Sequence, residues 1–576
     1  MRNTEVAALL EGIANLLEIK GENPFKIRAY HEAARHIETM AEDIATVHER
    51  GRLQEIPGVG ESIAAKIDEY LRTGRLGYYE ELKEQIAPGL GDLLEVPGVG
   101  PQRAKLIHEH LGITTTQELE AAAAEHRLRT LPGIREKTED KILREVRRYQ
   151  QRTRRLLLGV ALPAAEQVVG MLKGHRAVRR IDPAGSIRRM KETIGDIDVL
   201  VASEDPEAAA DAFTSLPIVK EVLAKGPTRS SILSQGNLQI DLRVINPDVY
   251  GAALQYFTGS KAHNITLREL AIQKGLKLSE YGLFEARSGR RIAGASEEEV
   301  YRALGMAWIP PELREDGGEI EAALKGRLPD LLEERDLRGD LHLHTNWSDG
   351  VDSLEVMAEA ARARGYEYLA ITDHSIGLGV AKGLSVARIR EQRRAISRLN
   401  ARYAPFRLLH GIEVDIRADG TLDYEDDVLK EFDIVTASIH SAFDQSSEKM
   451  TARILKAIRN PFVHILNHPR GLLIGKREGY AVDLEAVIRE AARVGTALEI
   501  NSQPDRLDLD GVWARRAKDL GATLAIDSDA HSRAQLAFVR YGAATARRGW
   551  LEKRDVLNAL PLDELRQRLH AMRRAA

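Results

Sequence analysis

Asp196 and Asp198 lie two residues apart in Gly195-Asp-Ile-Asp-Val-Leu-Val201, so on a strand their carboxylates share one face while Ile197 and Val199 pack behind. A third acid, Asp241, sits in a second strand pattern, Gln239-Ile-Asp-Leu-Arg-Val244. Three such carboxylates make an oxygen-rich cage for a hard divalent cation, with Mg2+ (or Mn2+) the natural occupant. Ten residues upstream of the acidic pair, Gly185-Ser186 offers backbone amides and a hydroxyl to a triphosphate, and Arg189 can neutralise charge as pyrophosphate leaves. This is the equipment of nucleotidyl transfer, in which one metal activates a 3′-hydroxyl and a second clamps the phosphates. Acidic pairs are common at strand ends, so the glycine-serine turn and the third aspartate are what give this one a direction.

A different set of side chains follows residue 338. Asp340-Leu-His-Leu-His-Thr345 places His342 and His344 on one strand face, with Asp349 just past its end. His374, Glu413, His440, His468, Asp529 and His531 each close a later apolar run. In a parallel barrel the C-terminal ends of the strands converge on one mouth, so these residues become neighbours. Nine candidate ligands exceed the needs of one ion. Three ions are expected, and mixed imidazole and carboxylate ligation suits manganese, zinc or iron better than magnesium. His410, His464 and His570 lack this placement and read as structural or exposed.

The elements that must position these groups can be read from composition and period. With 576 residues the chain needs about four domains at roughly 150 residues each. Hydrophobic residues at 43% and charged residues at 30% are ordinary for a globular chain, and the lack of cysteine excludes disulfides, thiolate nucleophiles and cysteine-ligated zinc. No apolar run reaches the roughly 20 residues of a membrane span. Met1 to Lys20 has no signal-peptide core, so a cytoplasmic address is expected. The net charge of −4 hides local contrast: Ile134 to Arg155 holds nine Lys or Arg against four Asp or Glu.

Val6, Leu9, Leu10, Ile13, Leu16 and Leu17 fall at helical spacing. Beyond them Ile56-Pro-Gly-Val-Gly60, Val96-Pro-Gly-Val-Gly100 and the partial copy Leu131-Pro-Gly-Ile134 each precede a helical pattern. Gly58, Gly60, Gly98 and Gly100 let the backbone approach another surface while the next helix aims its N-terminal amides outward, which suits a DNA phosphate. A single copy would read equally well as a tight connection between packed helices; the repeat favours the phosphate. These segments resemble helix-hairpin-helix motifs, which grip a strand's backbone without reading sequence. Lys66, on the helix after the first copy, could attack a sugar aldehyde as an amine, although spacing alone fits an exposed helix lysine. After Leu156 the texture is α+β; residues 310–338 gather proline, glycine and charge as a linker would; thereafter seven strand patterns alternate with helices, as in a parallel barrel.

Gly-Ser, Asp-x-Asp and Tyr256-Phe-Thr-Gly-Ser260 together resemble the family X DNA polymerases, and the histidine set resembles the PHP (polymerase and histidinol phosphatase) domain. The two resemblances cover nearly the whole chain and point to a bacterial family X polymerase fused to a nuclease. They imply three catalytic aspartates at Asp196, Asp198 and Asp241, and phosphate contacts at Gly185, Ser186 and Arg189. They imply a nucleotide pocket at Tyr256, Phe257, Gly259 and Asn264, a lyase lysine at Lys66, and all nine metal positions of the PHP family without substitution. Ser62 departs from the pattern, standing where lyase-active relatives carry a phosphate-binding lysine.

The expected organisation is a helical lyase-like domain (1–85), a helical fingers domain (86–153), an α+β nucleotidyltransferase palm (154–255), a thumb (256–315), a linker (316–337) and a distorted seven-stranded PHP barrel (338–576). The expected partners are gapped or primed DNA and dNTPs, with no membrane, and the expected state is a monomer. Expected activities are template-directed gap filling and 3′-5′ exonuclease action, with cleavage at abasic sites. Lys261 is a positive charge beside the presumed nucleotide that could hold it before template pairing. Two rivals stand beside this reading: a phosphatase of small metabolites anchored by its N-terminal half, and a non-enzymatic DNA-end scaffold.

Overall fold

The computed structural model describes residues 2–38, 44–73, 76–84, 93, 94, 96, 98–153, 155–378 and 381–572. The chain divides into two compact units, Met1–Arg154 and Arg155–Ala576. The expected boundary at residues 85 and 86 lies outside the described residues. Among those described, no helix is long and apolar enough to cross a membrane.

The first unit is helical. Arg2–Lys20 buries Val6, Leu10, Ile13, Leu16 and Leu17, the face its sequence period marks, against Ile63, Ile67 and their neighbours. A second core gathers Val96, Val99, Ala104, Ile107, Ile134 and Ile142. Three short turns recur before the helices Glu61–Thr73, Pro101–Leu111 and Glu136–Thr153. In each, one amide bonds the carbonyl three residues back: Val59 to Ile56, Val99 to Val96 and Ile134 to Leu131. Both apolar residues of each turn, Ile56 and Val59, Val96 and Val99, Leu131 and Ile134, are buried, which pins the turn and repeats the motif at sequence level.

The second unit begins with a five-stranded sheet in the order Arg180–Pro183, Ile197–Ala202, Gln239–Ile245, Arg229–Ser234, Val219–Ala224. The helices Tyr250–Thr258 and Lys261–Gln273 follow, then a three-stranded meander, Leu276–Ser279, Gly282–Glu285 and Arg291–Ala293. Residues 316–337, expected as a linker, differ from that expectation. They carry the helix Glu319–Leu324, whose Ile320 and Ala323 are buried with Val300, Tyr301 and Leu313. The polar composition misleads here because buried Glu319 spends its charge on His263, 2.6 Å away.

The C-terminal barrel has seven parallel strands in sequential order: Gly339–Asp340, Tyr368–Ile371, Arg407–Asp415, Ile434–Ser438, Ile465–Leu466, Ala497–Asn501 and Leu524–Asp527. Near-continuous apolar runs reflect burial on both faces. First and last strands meet through the Asp529 amide to the His342 carbonyl (2.9 Å) and the His344 amide to the Ala530 carbonyl (2.8 Å), which brings the ends of the sheet together. The barrel and the five-stranded sheet share one core, in which Leu507 and Tyr541 of the barrel join Leu158, Leu162, Ile187 and Phe213.

Candidate active sites

In the five-stranded sheet, Asp198 and Asp241 are direct register partners on adjacent parallel strands. Asp196 precedes its strand by one residue and is exposed, a correction to the expectation that both acids lie on the strand. Burial pushes the Asp198 carboxyl up; Arg243 opposes this, and the charges of Asp196 and Asp241 add to it. Asp241 is buried but held below the usual range, because Ser231, Arg229 (2.7 Å) and Gln239 (3.2 Å) donate to its carboxylate. Asp198 and Asp241 lie side by side with Asp196 near enough to act on Asp198, and their hard carboxylate oxygens suit a divalent cation.

Around them, Ala184 leaves the strand Arg180–Pro183, and Gly185 opens the single helical turn Gly185–Arg188 with φ +62°. The Ala184 amide bonds the Asp198 carbonyl at 2.9 Å, and a Cβ on Gly185 would lie 3.2 Å from Asp198 Oδ2. The turn and the acids are therefore in contact. Arg189 ends that turn and donates Nε to Glu315 (2.9 Å) and Nη1 to the Thr258 carbonyl. Tyr256 and Phe257 meet edge to face at 5.2 Å, and Arg243 lies 4.6 Å over the Phe257 ring. Asn264 commits both ends of its amide, accepting from Gln255 (2.7 Å) and donating to the Tyr256 carbonyl (2.8 Å). Lys261 is exposed in the first turn of its helix, which Ser260 caps. Sequence reasoning missed Arg229, Arg243, Ser231 and Glu315; an arginine two residues after Asp241 in a strand was the one local signal.

In the barrel, His342 and His344 stand just beyond the two-residue strand Gly339–Asp340 and not within it, a second correction. The backbone stays extended between Asp529, Ala530 and Thr372, so the alternation survives and their Nε2 atoms lie 3.2 Å apart. Three groups of ligand atoms each lie within 4.8 Å: His344, Asp349, His374 and His531; His342, His344 and Asp529; His374, Glu413 and His440. His468 completes the set through Glu413, at 3.3 Å. Glu413 is the hub, with His374 at 2.8 Å, His342 at 3.4 Å and His440 at 3.6 Å. Asp196, Asp198 and Asp241 form no such group, the Asp241 carboxylate being turned onto Arg229 and Ser231.

The barrel residues fit several metal ions. His344 Nδ1, His440 Nδ1, His468 Nδ1 and one Glu413 oxygen are buried with no hydrogen-bond partner, and orphaned buried donors of this kind call for a cation. Burial works against charge on His374, but Glu413 and Asp349 outweigh it and lift the ring to about 10; burial, then the charge of Arg506, takes His468 down to about 3 against the pull of Glu413. Glu413 and Asp529 overcome burial through neighbouring histidines and stay well below the carboxylate range. A further layer was not foreseen. Buried Glu499 accepts from His342 Nδ1 and from the His468 amide, both at 2.6 Å, and Asp415 lies 3.3 Å from His440 Nδ1. An acid inside the apolar run Ala497-Leu-Glu-Ile-Asn501 was the available signal for Glu499. His410 is buried and neutral, pushed by burial to about 4, and His464 accepts from the Val435 amide.

In the helical unit, a Cβ on Gly58 would meet the Ala33 amide nitrogen at 2.8 Å, while Gly60, Gly98 and Gly100 face open space. Lys66 donates to Ser62 Oγ at 2.9 Å and lies 4.6 Å from the Tyr78 ring. Burial, then the charge of Lys26, lowers its amine below the ordinary lysine value.

Family models match in four places: "Helix-hairpin-helix domain" over residues 1–76, "SAM-like Helix-hairpin-helix tandem" over 90–148, "DNA polymerase beta thumb" over 253–315 and "PHP domain" over 340–502. A Bacillus subtilis (strain 168) protein, "DNA polymerase/3'-5' exonuclease PolX", is 38% identical over 98% of this chain and 99% of its own length. The chain belongs to the PolX family. Family X kinship reaches further: DNA polymerase lambda of Rattus norvegicus is 24% identical over 54% of this chain and 56% of its own. A "Probable phosphatase" of Shewanella oneidensis is 32% identical over 33% of this chain and 75% of its own length. This PolX family member thus also has relatives that match only about half or a third of its length.

Proposed function

We propose that this enzyme fills short gaps in DNA by nucleotidyl transfer at Asp196, Asp198 and Asp241 and removes nucleotides from 3′ ends at the barrel mouth. The observation that carries the reading is the presence, in one chain, of the aspartate register pair and the cluster of eight His and carboxylate ligands that His468 joins through Glu413, with similarity end to end to a relative named for both activities. Asp196, Asp198 and Asp241 would hold Mg2+ or Mn2+, and His342, His344, Asp349, His374, Glu413, His440, His468, Asp529 and His531 would hold three manganese, zinc or iron ions. When bound, these ions supply charge neutralisation and activation of the attacking oxygen. The chain's own groups do the rest. The Gly185-Ser186 turn receives the triphosphate, Arg189 offsets charge on the leaving pyrophosphate, and Tyr256, Phe257, Gly259 and Asn264 shape the nucleotide's sugar and base edge. The turns at Gly58, Gly60, Gly98 and Gly100 hold the DNA backbone, and the barrel also cleaves at abasic sites. The chain acts as a monomer; a dimer mass by light scattering would correct this.

Separation of function is the test. On a labelled primer in gapped DNA, Asp198→Asn should abolish extension and leave shortening intact; His342→Ala or His440→Ala should do the reverse. If either change removed both activities from a folded protein, two independent sites would be ruled out. Comparable turnover of small phosphomonoesters and single-stranded DNA would favour the phosphatase reading instead. Lys66 is assigned as a Schiff-base amine, and borohydride should trap it on a 5′-deoxyribose phosphate end; no adduct in the wild type, or an undiminished one in Lys66→Ala, would remove it from this role. Lys261→Ala should weaken nucleotide binding in the absence of DNA, and unchanged affinity would leave it a surface lysine.

A further inference from the structure

Arg548 ends the helix Val539–Arg548 of the barrel, yet every hydrogen bond of its side chain goes to the polymerase half. Nη1 donates to the Arg189 carbonyl at 3.1 Å and to Glu315 Oε1 at 3.2 Å; Nε donates to Glu192 at 3.3 Å. The side chain is 6% exposed, an unusual depth for an arginine. Its stem is seated by close approach, since a Cβ on Gly511 would lie 2.8 Å from Arg548 Cβ. Glu315 Oε1 is shared: the same oxygen accepts from Arg189 Nε at 2.9 Å. Arg189 follows the Gly185–Arg188 turn directly, and its amide bonds the Gly185 carbonyl.

The geometry points to Arg548 of the nuclease barrel as a positioning residue for the polymerase site, holding Glu315 and the Arg189 backbone so that the Arg189 guanidinium stays fixed against Glu315 and the Thr258 carbonyl. This rests on the reading of Arg189 as a phosphate contact proposed above. Two physical effects support it. Fixing both Glu315 and the Arg189 carbonyl removes the freedom of a long side chain before a nucleotide arrives, which lowers the cost of binding. Charge matters as well. Arg189, Lys191 and Arg548 face Glu192 and Glu315, three cations against two carboxylates, so one positive charge remains; without Arg548 the cluster is neutral. The barrel therefore contributes to synthesis with a side chain bonded to none of its own nine-residue cluster.

The test is single-nucleotide incorporation on gapped DNA by the full-length chain, comparing Arg548→Met, Arg548→Lys, Glu315→Gln, Arg189→Ala and the double variant Arg548→Met/Arg189→Ala. Arg548→Met should raise the nucleotide KM roughly tenfold while changing kcat less than about threefold, the scale of one lost charge-assisted bond. Arg548→Lys restores charge without the fork and should recover part of that loss. Glu315→Gln keeps the shape and should also raise KM. In the Arg189→Ala background, Arg548→Met should add less than about twofold, because its effect runs through Arg189. An equal factor in both backgrounds, or an unchanged KM in Arg548→Met, overturns the inference. If Arg189→Ala itself leaves nucleotide use unaltered, the phosphate-contact reading fails, and this inference with it. Matching unfolding curves for wild type and variants separate a local effect from a damaged fold.

Discussion

At the residue scale, Glu413 is the side chain on which the barrel site converges, lying within 3.6 Å of His342, His344, His374, His440 and His468. Glu499 acts one layer behind, fixing His342 through Nδ1 so that Nε2 faces the cluster. Carboxylates that orient liganding imidazoles typically change metal affinity by 10–100-fold. Glu413→Gln should therefore abolish tight metal uptake at one or more positions, whereas Glu499→Gln should weaken it roughly tenfold and leave the stoichiometry intact. Metal content by mass spectrometry, with binding isotherms, reads both; equal metal content in Glu413→Gln and wild type would contradict the hub assignment. That these nine side chains would gather at one mouth was legible from residue type and strand-end position. Glu499 and Asp415 were not, because an acid in a strand acquires this role only from the imidazole that lands beside it.

At the element scale, Glu297 begins the helix Glu297–Ala303 and joins it to the palm. It accepts both Arg188 Nη atoms at 2.8 Å, Arg314 Nη1 at 2.6 Å and Trp308 Nε1 at 3.0 Å. Burial would raise its carboxyl, but the charge of Arg314 and the bonds from Arg188 hold it far below the usual range. A depressed folded value contributes stability that is complete above the unfolded pKa of about 4.3 and is lost as pH falls below it. Glu297→Gln leaves two arginines uncompensated and should cost about 3–5 kcal/mol near neutrality. Denaturant unfolding should show that penalty shrinking as pH drops toward about 3; a pH-independent difference would mean packing, not charge, carries the effect. The sequence shows acids at a helix start, a favourable but ordinary pattern. That one of them reaches back to Arg188, 109 positions earlier, follows only from the fold.

At the scale of the whole molecule, palm and barrel share a hydrophobic core, so they should unfold as one body. Leu507, fully buried in that core, belongs to the barrel, while Phe213 and Ile187 belong to the sheet that carries the aspartates. Leu507→Ala should cost about 2–5 kcal/mol and shift a single transition for both halves. Two separate transitions by calorimetry, with only one moved, would show that the halves are independent. The exposed pair Arg540 and Glu166 spans the same seam, but a surface ion pair of this kind adds about 1 kcal/mol or less.

The amino-acid order by itself determined the local alternations: which residues face together on Ile197–Ala202, which imidazoles end the barrel strands, and where the proline-glycine turns recur. These follow from periods of two and 3.6 and from turn chemistry, which act over a few residues. Only the tertiary structure decided the rest. Asp198 pairs with Asp241 because two strands far apart in the chain lie parallel and in register, His342 and His344 keep their places beyond the two-residue first barrel strand because Asp529, Ala530 and Thr372 hold the backbone there, and Arg548 reaches Arg189 and Glu315 because the two halves bury a common core. Such contacts are chosen by packing among distant segments, and no local pattern encodes that choice.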